Sequence, residues 1–209
     1  MIAMNEIMEY LDILFPDPKC ELNYTKDYEL LIAVMLSAQT TDKRVNMVTN
    51  VLFQKYPTLE DLKNASLDDL IQIIRPIGTF QRKAKNIKLI AERLLEDTDG
   101  VVPNNRTFLE SLSGVGRKTT NVVLSNLYGT NVIAVDTHVS RVSKRLGLSK
   151  KNDDVMTIER KLTKKFPKEK LGKLHHQLVL FGRYHCKALN PECEICQLKN
   201  ICKDKKKDF

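Results

Sequence analysis

The sequence predicts an all-α protein built from many short helices, and three observations carry that prediction. Helix-start signals recur along the chain, at Thr58-x-x-Asp61, Ser66-x-x-Asp69 and Thr107-x-x-Glu110. The segment YELLIAVMLSAQ (28–39) is apolar on nearly every face, as a central buried helix requires. Strand signals are confined to VIAV (132–135), a run too short to build a sheet around.

Each helix has its own local signals. MIAMNEIMEYLDILF at the N-terminus suits an amphipathic helix, and Asp27 is the expected cap of the buried helix 28–39. Pro76 and Gly78 end LDDLIQIIR, and Gly100 and Pro103 separate KAKNIKLIAERLLED from the next segment. FLESL (108–112) reads as a short helix, SGVG as a tight turn, and RKTTNVVLSNLY as a second helix stopped by Gly129. Asp136, after a wholly apolar run, is placed to cap THVSRVSKRLG. His138 reads as a packed histidine of that region.

Length and composition bound the function. A chain of 209 residues, 42% hydrophobic and 29% charged, has enough apolar surface for a substantial core. Thirty-four Lys and Arg against 26 Asp and Glu give a formal charge of +8, which favours a polyanionic partner such as DNA or RNA. No run of about 18 apolar residues exists to span a membrane, and no basic region precedes an apolar one at the N-terminus. The expected location is cytoplasmic, or nucleoid-associated in a prokaryote. The basic run KDKKKDF (203–209) reads as a solvated end.

LSGVGRKTTNVVL (112–124) carries the first chemical signal. Arg117 between the second glycine and the Lys-Thr pair spoils a P-loop, and no strand precedes the turn as a dinucleotide site would need. What remains is a helix-hairpin-helix. Gly114 and Gly116 permit positive backbone angles and close approach, and the turn amides, with the start of the second helix, form an anion site. Such a hairpin (Gly114, Val115, Gly116, Arg117, Thr119) holds a nucleic-acid backbone phosphate without reading bases. Lys118 lies in the first turn of that helix beside Arg117. Both the helix dipole and the neighbouring charge act against its ammonium form, which is poor for stability and useful for an amine nucleophile.

The cysteines carry the second signal. Cys186, Cys193, Cys196 and Cys202 form a C-x6-C-x2-C-x5-C array that suits a metal centre better than a disulfide framework. A structural zinc and a 4Fe–4S cluster both accept four thiolates, and the single short knuckle, Cys193–Cys196, favours iron–sulfur. Cys20 stands apart and reads as a small buried apolar residue.

LLIAVMLSAQTTD (30–42), LSGVGRKTTNVVL (112–124), VIAVDTHVSRV (132–142), HHQLVLFGRYHC (175–186) and the four-cysteine array together resemble the endonuclease III family, DNA glycosylases with AP lyase activity in the helix-hairpin-helix superfamily. The resemblance implies a two-lobed fold. One lobe is a six-helix domain over 21–130 containing the hairpin (108–128). The other combines 1–20 with 131–209 and carries a 4Fe–4S cluster in a C-terminal loop. It further implies double-stranded DNA with damaged bases or abasic sites as substrate, a monomeric enzyme, and Lys118 and Asp136 as the catalytic pair. Gln39 is implied to enter the gap left by a flipped nucleotide, Asp42 to shape the pocket, and Thr79 and Lys187 to lie against DNA.

Three departures stand out: Ser113 replaces a proline usual before Gly-Val-Gly, Thr79 stands where an apolar wedge is common, with Phe80 as its neighbour, and the Cys186–Cys193 loop holds one Lys and one Glu where relatives are more basic. A mismatch glycosylase of the same superfamily is the nearest alternative, although adenine-removing relatives lack the lysine. A non-catalytic DNA-binding module with a structural metal is the alternative from another class, and the pairing of Lys118 with Asp136 argues against it.

Overall fold

The computed structural model describes residues 2–204, and the side chains of 4–204. Among these, every regular element is helical. The chain divides into two compact units, 20–128 and 1–19 with 129–209.

The unit 20–128 is organised around α2 (Asp27–Leu36), whose residues Leu30 to Leu36 are all buried. It packs against α3 (Asp42–Lys55), α6 (Phe80–Thr98) and α8 (Arg117–Tyr128). The shorter α4 (Leu59–Asn64) and α5 (Leu67–Ile74) pack on α6, and α7 (Arg106–Ser111) packs on α8. Burying so continuous an apolar run on every side is what fixes α2 at the centre.

Local signals hold where no distant residue competes for the same groups. At Thr58 the reciprocal capping box forms: Asp61 N donates to Thr58 Oγ1 (3.1 Å) and Thr58 N to Asp61 Oδ2 (3.0 Å). Ser66 stands at the N-cap of α5 with no cap bond to its side chain, and the Asp69 carboxylate that a reciprocal box would use is held by Lys55 Nζ (2.7 Å) and Tyr56 OH. The expected box at Thr107 is replaced by Asn105, which accepts from Phe108 N (3.0 Å), while Glu110 pairs with Arg106 (2.8 Å). Asp27 is not the cap of α2 but its first residue. The donors there are gathered by Glu29, which accepts from Thr25 N (2.7 Å), Thr25 Oγ1 (3.0 Å) and Lys26 N (3.2 Å). The helix also ends at Leu36, three residues short of the expected 39, in a turn closed by Ser37 Oγ on Val34 O (2.8 Å).

The other unit packs α1 (Ile2–Leu14), α9 (Thr137–Arg145), α10 (Val155–Lys165) and α11 (Leu171–Leu180) around a core of Leu11, Val139, Val142, Leu162, Leu178 and Phe181. A 3-10 turn, Lys168–Lys170, leads into α11, which widens into a π turn at Phe181–His185. Residues 132–135 are extended and pair with no strand; Ile133, Ala134 and Val135 are buried, and His175 Nδ1 donates to the Ala134 carbonyl (2.9 Å). Asp136 caps α9, accepting from Val139 N (2.7 Å), and Asp154 caps α10, accepting from Thr157 N (2.8 Å). Of the basic run 203–209, residues 205–209 lie outside the described residues. No helix among the described residues is long and apolar enough to cross a membrane.

Candidate functional site

The hairpin consists of α7, the turn Leu112–Gly116, and α8. Its helices are joined by Arg106 Nη2, which donates to the buried Asn121 Oδ1 (2.6 Å). Within the turn Val115 is buried and its N–H donates to Leu112 O (3.1 Å), which anchors a loop whose two glycines are exposed. Gly114 alone takes a positive φ, +78°, and a Cβ there would fall 2.2 Å from Asn86 Nδ2 and 3.3 Å from Met35 Cγ. Gly116 has an ordinary φ, and a Cβ on it would meet nothing within 4 Å. The two glycines therefore serve different ends: Gly114 makes the turn, and Gly116 leaves open space in front of the helix mouth.

Arg117 and Lys118 come next, both exposed, in the first turn of α8, while Thr119 is buried. That turn carries amides the helix cannot satisfy itself, so an anion is favoured there by geometry and by dipole. Ser113 donates its Oγ to Asn86 Oδ1 (2.7 Å), and this bond restrains the turn.

Two further turns of the same unit carry expected site residues. Gln39 lies beyond the end of α2, exposed, with φ +58°. Thr79 precedes α6, exposed, with φ +55°. A non-glycine residue in this region costs about 1–2 kcal/mol and persists only where the surroundings impose it. Beside Gln39 lies the ammonium of Lys83, a residue that sequence motifs did not single out. Its ammonium donates to Leu36 O (2.8 Å), Ala38 O (2.8 Å) and Thr40 Oγ1 (3.3 Å). Burial, with a smaller effect from Arg82, pushes its pKa below the usual lysine range. The signal was present: Lys83 interrupts the stripe Ile87, Ile90, Leu94 at i+4, i+7 and i+11 of α6, where a charge is out of place unless it is held.

In the other unit, the half-buried Asp136 has its carboxylate oriented by the α9 cap, and His138 Nδ1 lies 3.3 Å from Arg141 Nη2. Cys186, Cys193, Cys196 and Cys202 are all half-buried and line one pocket together with Arg145, Phe181, His185 and Leu146. None of the chain's five cysteines is in a disulfide. Cys20, expected to be a buried apolar residue, is half-buried. Among the described residues no three His, Cys, Asp or Glu side chains converge on a single ion position, so the four thiols frame a pocket rather than a point. Arg145, also without a signal in the motifs, holds both ends of this loop. Its Nη1 donates to Lys187 O (2.6 Å) and lies 3.3 Å from Cys186 Sγ, and its own carbonyl accepts from Lys203 N (2.7 Å). Burial pushes the Cys186 thiol up, with Arg145 opposing, and burial raises Cys196 as well. Lys187, expected on DNA, donates to Glu192 Oε1 (2.7 Å), so part of its charge is spent within the loop.

Taken by its helices and its turn, the unit 20–128 is that of a helix-hairpin-helix protein. Residues 32–168 match the HhH-GPD superfamily base excision DNA repair proteins. Endonuclease III of Bacillus subtilis is 49% identical over 99% of this chain and 96% of its own length, and that of Escherichia coli is 42% identical over 97% and 95%. A solved structure of a trapped endonuclease III–DNA covalent intermediate, an estranged-adenine complex, superposes with a TM-score of 0.94 at 47% identity, covering 98% of this chain and 96% of that one. The chain belongs to the endonuclease III family of the HhH-GPD superfamily.

Proposed function

We propose that this chain removes damaged bases from duplex DNA and cuts the strand at the abasic site that results, with Lys118 as nucleophile. The observation that carries the reading is an exposed lysine in the first turn of α8, two residues beyond the open Gly116, in a chain of this family. The target nucleotide must leave the stack for its C1′ to be reached. The neutral Lys118 amine attacks C1′, the C1′–N bond breaks, and the base departs. Opening of the sugar ring gives a protonated Schiff base between Nζ and C1′. Loss of a C2′ proton then expels the 3′ phosphate by β-elimination, and water releases the enzyme from the sugar. The Asp136 carboxylate accepts the proton from the attacking amine or stabilises the positive charge that develops on the sugar. Its α9 cap supports this role by fixing its orientation.

The hairpin amides and Arg117 would grip a backbone phosphate, Gln39 would fill the space of the extruded nucleotide, and Thr79 would lie against the stack. The substrate is assigned as an oxidised pyrimidine such as thymine glycol, and the protein as a monomer. The four thiols fit a 4Fe–4S centre: all four line one pocket, and Arg145 offers a positive counter-charge beside Cys186. Such a centre supplies structure and positions the loop on DNA. Cys186, Cys193, Cys196 and Cys202 would hold it as thiolates, which requires the bound cation to overcome the upward pull of burial.

The test is borohydride reduction during incubation with an abasic or thymine-glycol duplex. A covalent protein–DNA adduct is expected from the native protein, and a loss of at least about 1,000-fold in Lys118→Gln. No adduct from native protein, or an undiminished adduct from the variant, would contradict the assignment.

A further inference from the structure

Lys83 is buried, with 3% of its surface exposed, yet it makes no ion pair among those described; three oxygen atoms surround its ammonium instead. One is the last carbonyl of α2, Leu36 O, where the helix dipole is negative and carbonyls lack helical partners, and the second is that of Ala38, two residues beyond the helix. The third is the hydroxyl of Thr40. Ala38 and Thr40 are the two chain neighbours of Gln39, so one ammonium grips the residue on either side of it. The turn is also closed locally: Thr40 N donates to Ser37 O (3.1 Å), Ser37 Oγ to Val34 O (2.8 Å) and Thr40 Oγ1 to Ala38 O (3.4 Å), and none of these bonds engages Gln39 itself.

Three residues further along α6, on the same face of the helix, lies Asn86, buried and bonded to Ser113 of the hairpin turn. Its Nδ2 occupies the space above Gly114 that any larger residue would need. At the head of the same helix is Thr79, whose carbonyl accepts from Lys83 N (3.1 Å). Thr79, Lys83 and Asn86 fall at i, i+4 and i+7, so one face of α6 meets all three turns that carry site residues in this unit.

We propose that Lys83 is a positioning residue for lesion recognition, holding the 37–40 turn so that Gln39 is presented in its left-handed conformation, and that Asn86 ties the hairpin turn to the same helix. The two turns are thereby set relative to each other by α6 before DNA arrives, which removes an ordering cost from binding. This rests on the reading that Gln39 and the hairpin face DNA. Lys88, one turn later, provides an internal control: its ammonium is likewise latched on carbonyls, those of Lys63 and Ala65 at the end of α4, where no site residue lies.

The experiment is a double-mutant cycle of Lys83→Met with Gln39→Ala in the full-length holoprotein, with Lys88→Met alongside. Binding is measured on a duplex carrying a reduced abasic site, with 2-aminopurine opposite it to report unstacking, and melting is followed for each variant. Lys83→Met is expected to weaken binding about tenfold and to lose the fluorescence change, as Gln39→Ala does, and the double variant to lose less than about twofold more. Lys88→Met is expected to lower the melting temperature comparably and leave binding unchanged. Multiplicative losses in the double variant, or a Lys83→Met that binds like Lys88→Met, would overturn the proposal. If Lys83→Met does not fold, Thr40→Val removes one arm of the latch, with about a threefold loss of binding expected in the native background and none in Gln39→Ala; equal losses in both would overturn it. Native protein that forms no borohydride adduct would instead refute the function proposed above, so the two failures are distinguishable.

Discussion

In residues 20–128 the turns that carry site residues are short, and two of the three are pinned by a side chain of α6: Lys83 at the 37–40 turn and Asn86 at the hairpin. In the other unit the ligand loop runs from Cys186 to Asp204 without a helix, and its two ends meet on one residue, Arg145, whose Nε also pairs with Asp204 (2.5 Å). The first arrangement is complete in its own hydrogen bonds. The second leaves four thiols around a pocket, where the proposed centre would add the cross-links that secondary structure does not supply. The difference teaches where stability and function are separable: around α6 a buried polar group can be changed without touching a ligand, whereas at the thiols a bound centre would itself be part of the fold.

The largest effect expected from breaking this comparison is on the loop. Cys202→Ser should destabilise its unit by several kcal/mol or more, and limited proteolysis between Cys186 and Asp204 should accelerate before the amides of α2 lose hydrogen-exchange protection. Equal and simultaneous loss of protection in α2 would mean that the contrast is wrong.

Next comes the hairpin, where Gly114→Ala must adopt φ +78° and meet Asn86, a cost of about 2 kcal/mol or more by denaturant titration. Gly116→Ala, with open space and an ordinary φ, should cost stability little while weakening DNA binding.

A smaller and symmetrical effect should come from the caps. Thr58→Ala in one unit and Asp154→Ala in the other should each cost about 1 kcal/mol, because each removes a single cap acceptor.

The smallest effect sharpens the local electrostatics of the unit 20–128. The hydrogen bond to Asp69, with burial and the carboxylate charge adding to it, pushes Tyr56 up to about 12, and the same contacts with Lys55 and Tyr56 hold Asp69 below the usual carboxylate range. A raised folded pKa means that the tyrosine's contribution is fully present below pH about 10 and is lost as pH rises through about 12. The lowered carboxylate contributes above pH about 4 and loses its contribution as pH falls through its depressed value. Ultraviolet titration of the phenols should show a tyrosine ionising near 12 that Asp69→Asn returns toward 10.

What could be read from the sequence depended on how local its cause was. The limits of α8 were legible because glycines stand on either side of it, at 116 and 129, and the Thr58 box and the Asp136 cap needed only residues three positions apart. The reciprocal box expected at Ser66 does not form, and the Asp69 carboxylate it would use is held by Lys55 and Tyr56, more than ten residues away, which no short window shows. The end of α2 at Leu36, rather than 39, has the same origin: Lys83, on another helix, takes the carbonyls of Leu36 and Ala38. Glycine's freedom was credited to both 114 and 116, and only the fold separates a glycine that bends from one that makes room. The cysteine spacing indicated one centre, and the four thiols do line one pocket; Arg145, which ties their loop together, left no mark in the spacing.

The central claim is a division of labour between two lysines of the same unit. Lys118, exposed at the mouth of α8, is proposed to do the chemistry, and Lys83, buried, to hold the frame. Peptide mapping by mass spectrometry of the borohydride-reduced protein–DNA adduct tests this directly. The sugar remnant is expected on Lys118 alone, in the peptide that begins after Arg117. A remnant on Lys83, or spread over several surface lysines, would contradict the account.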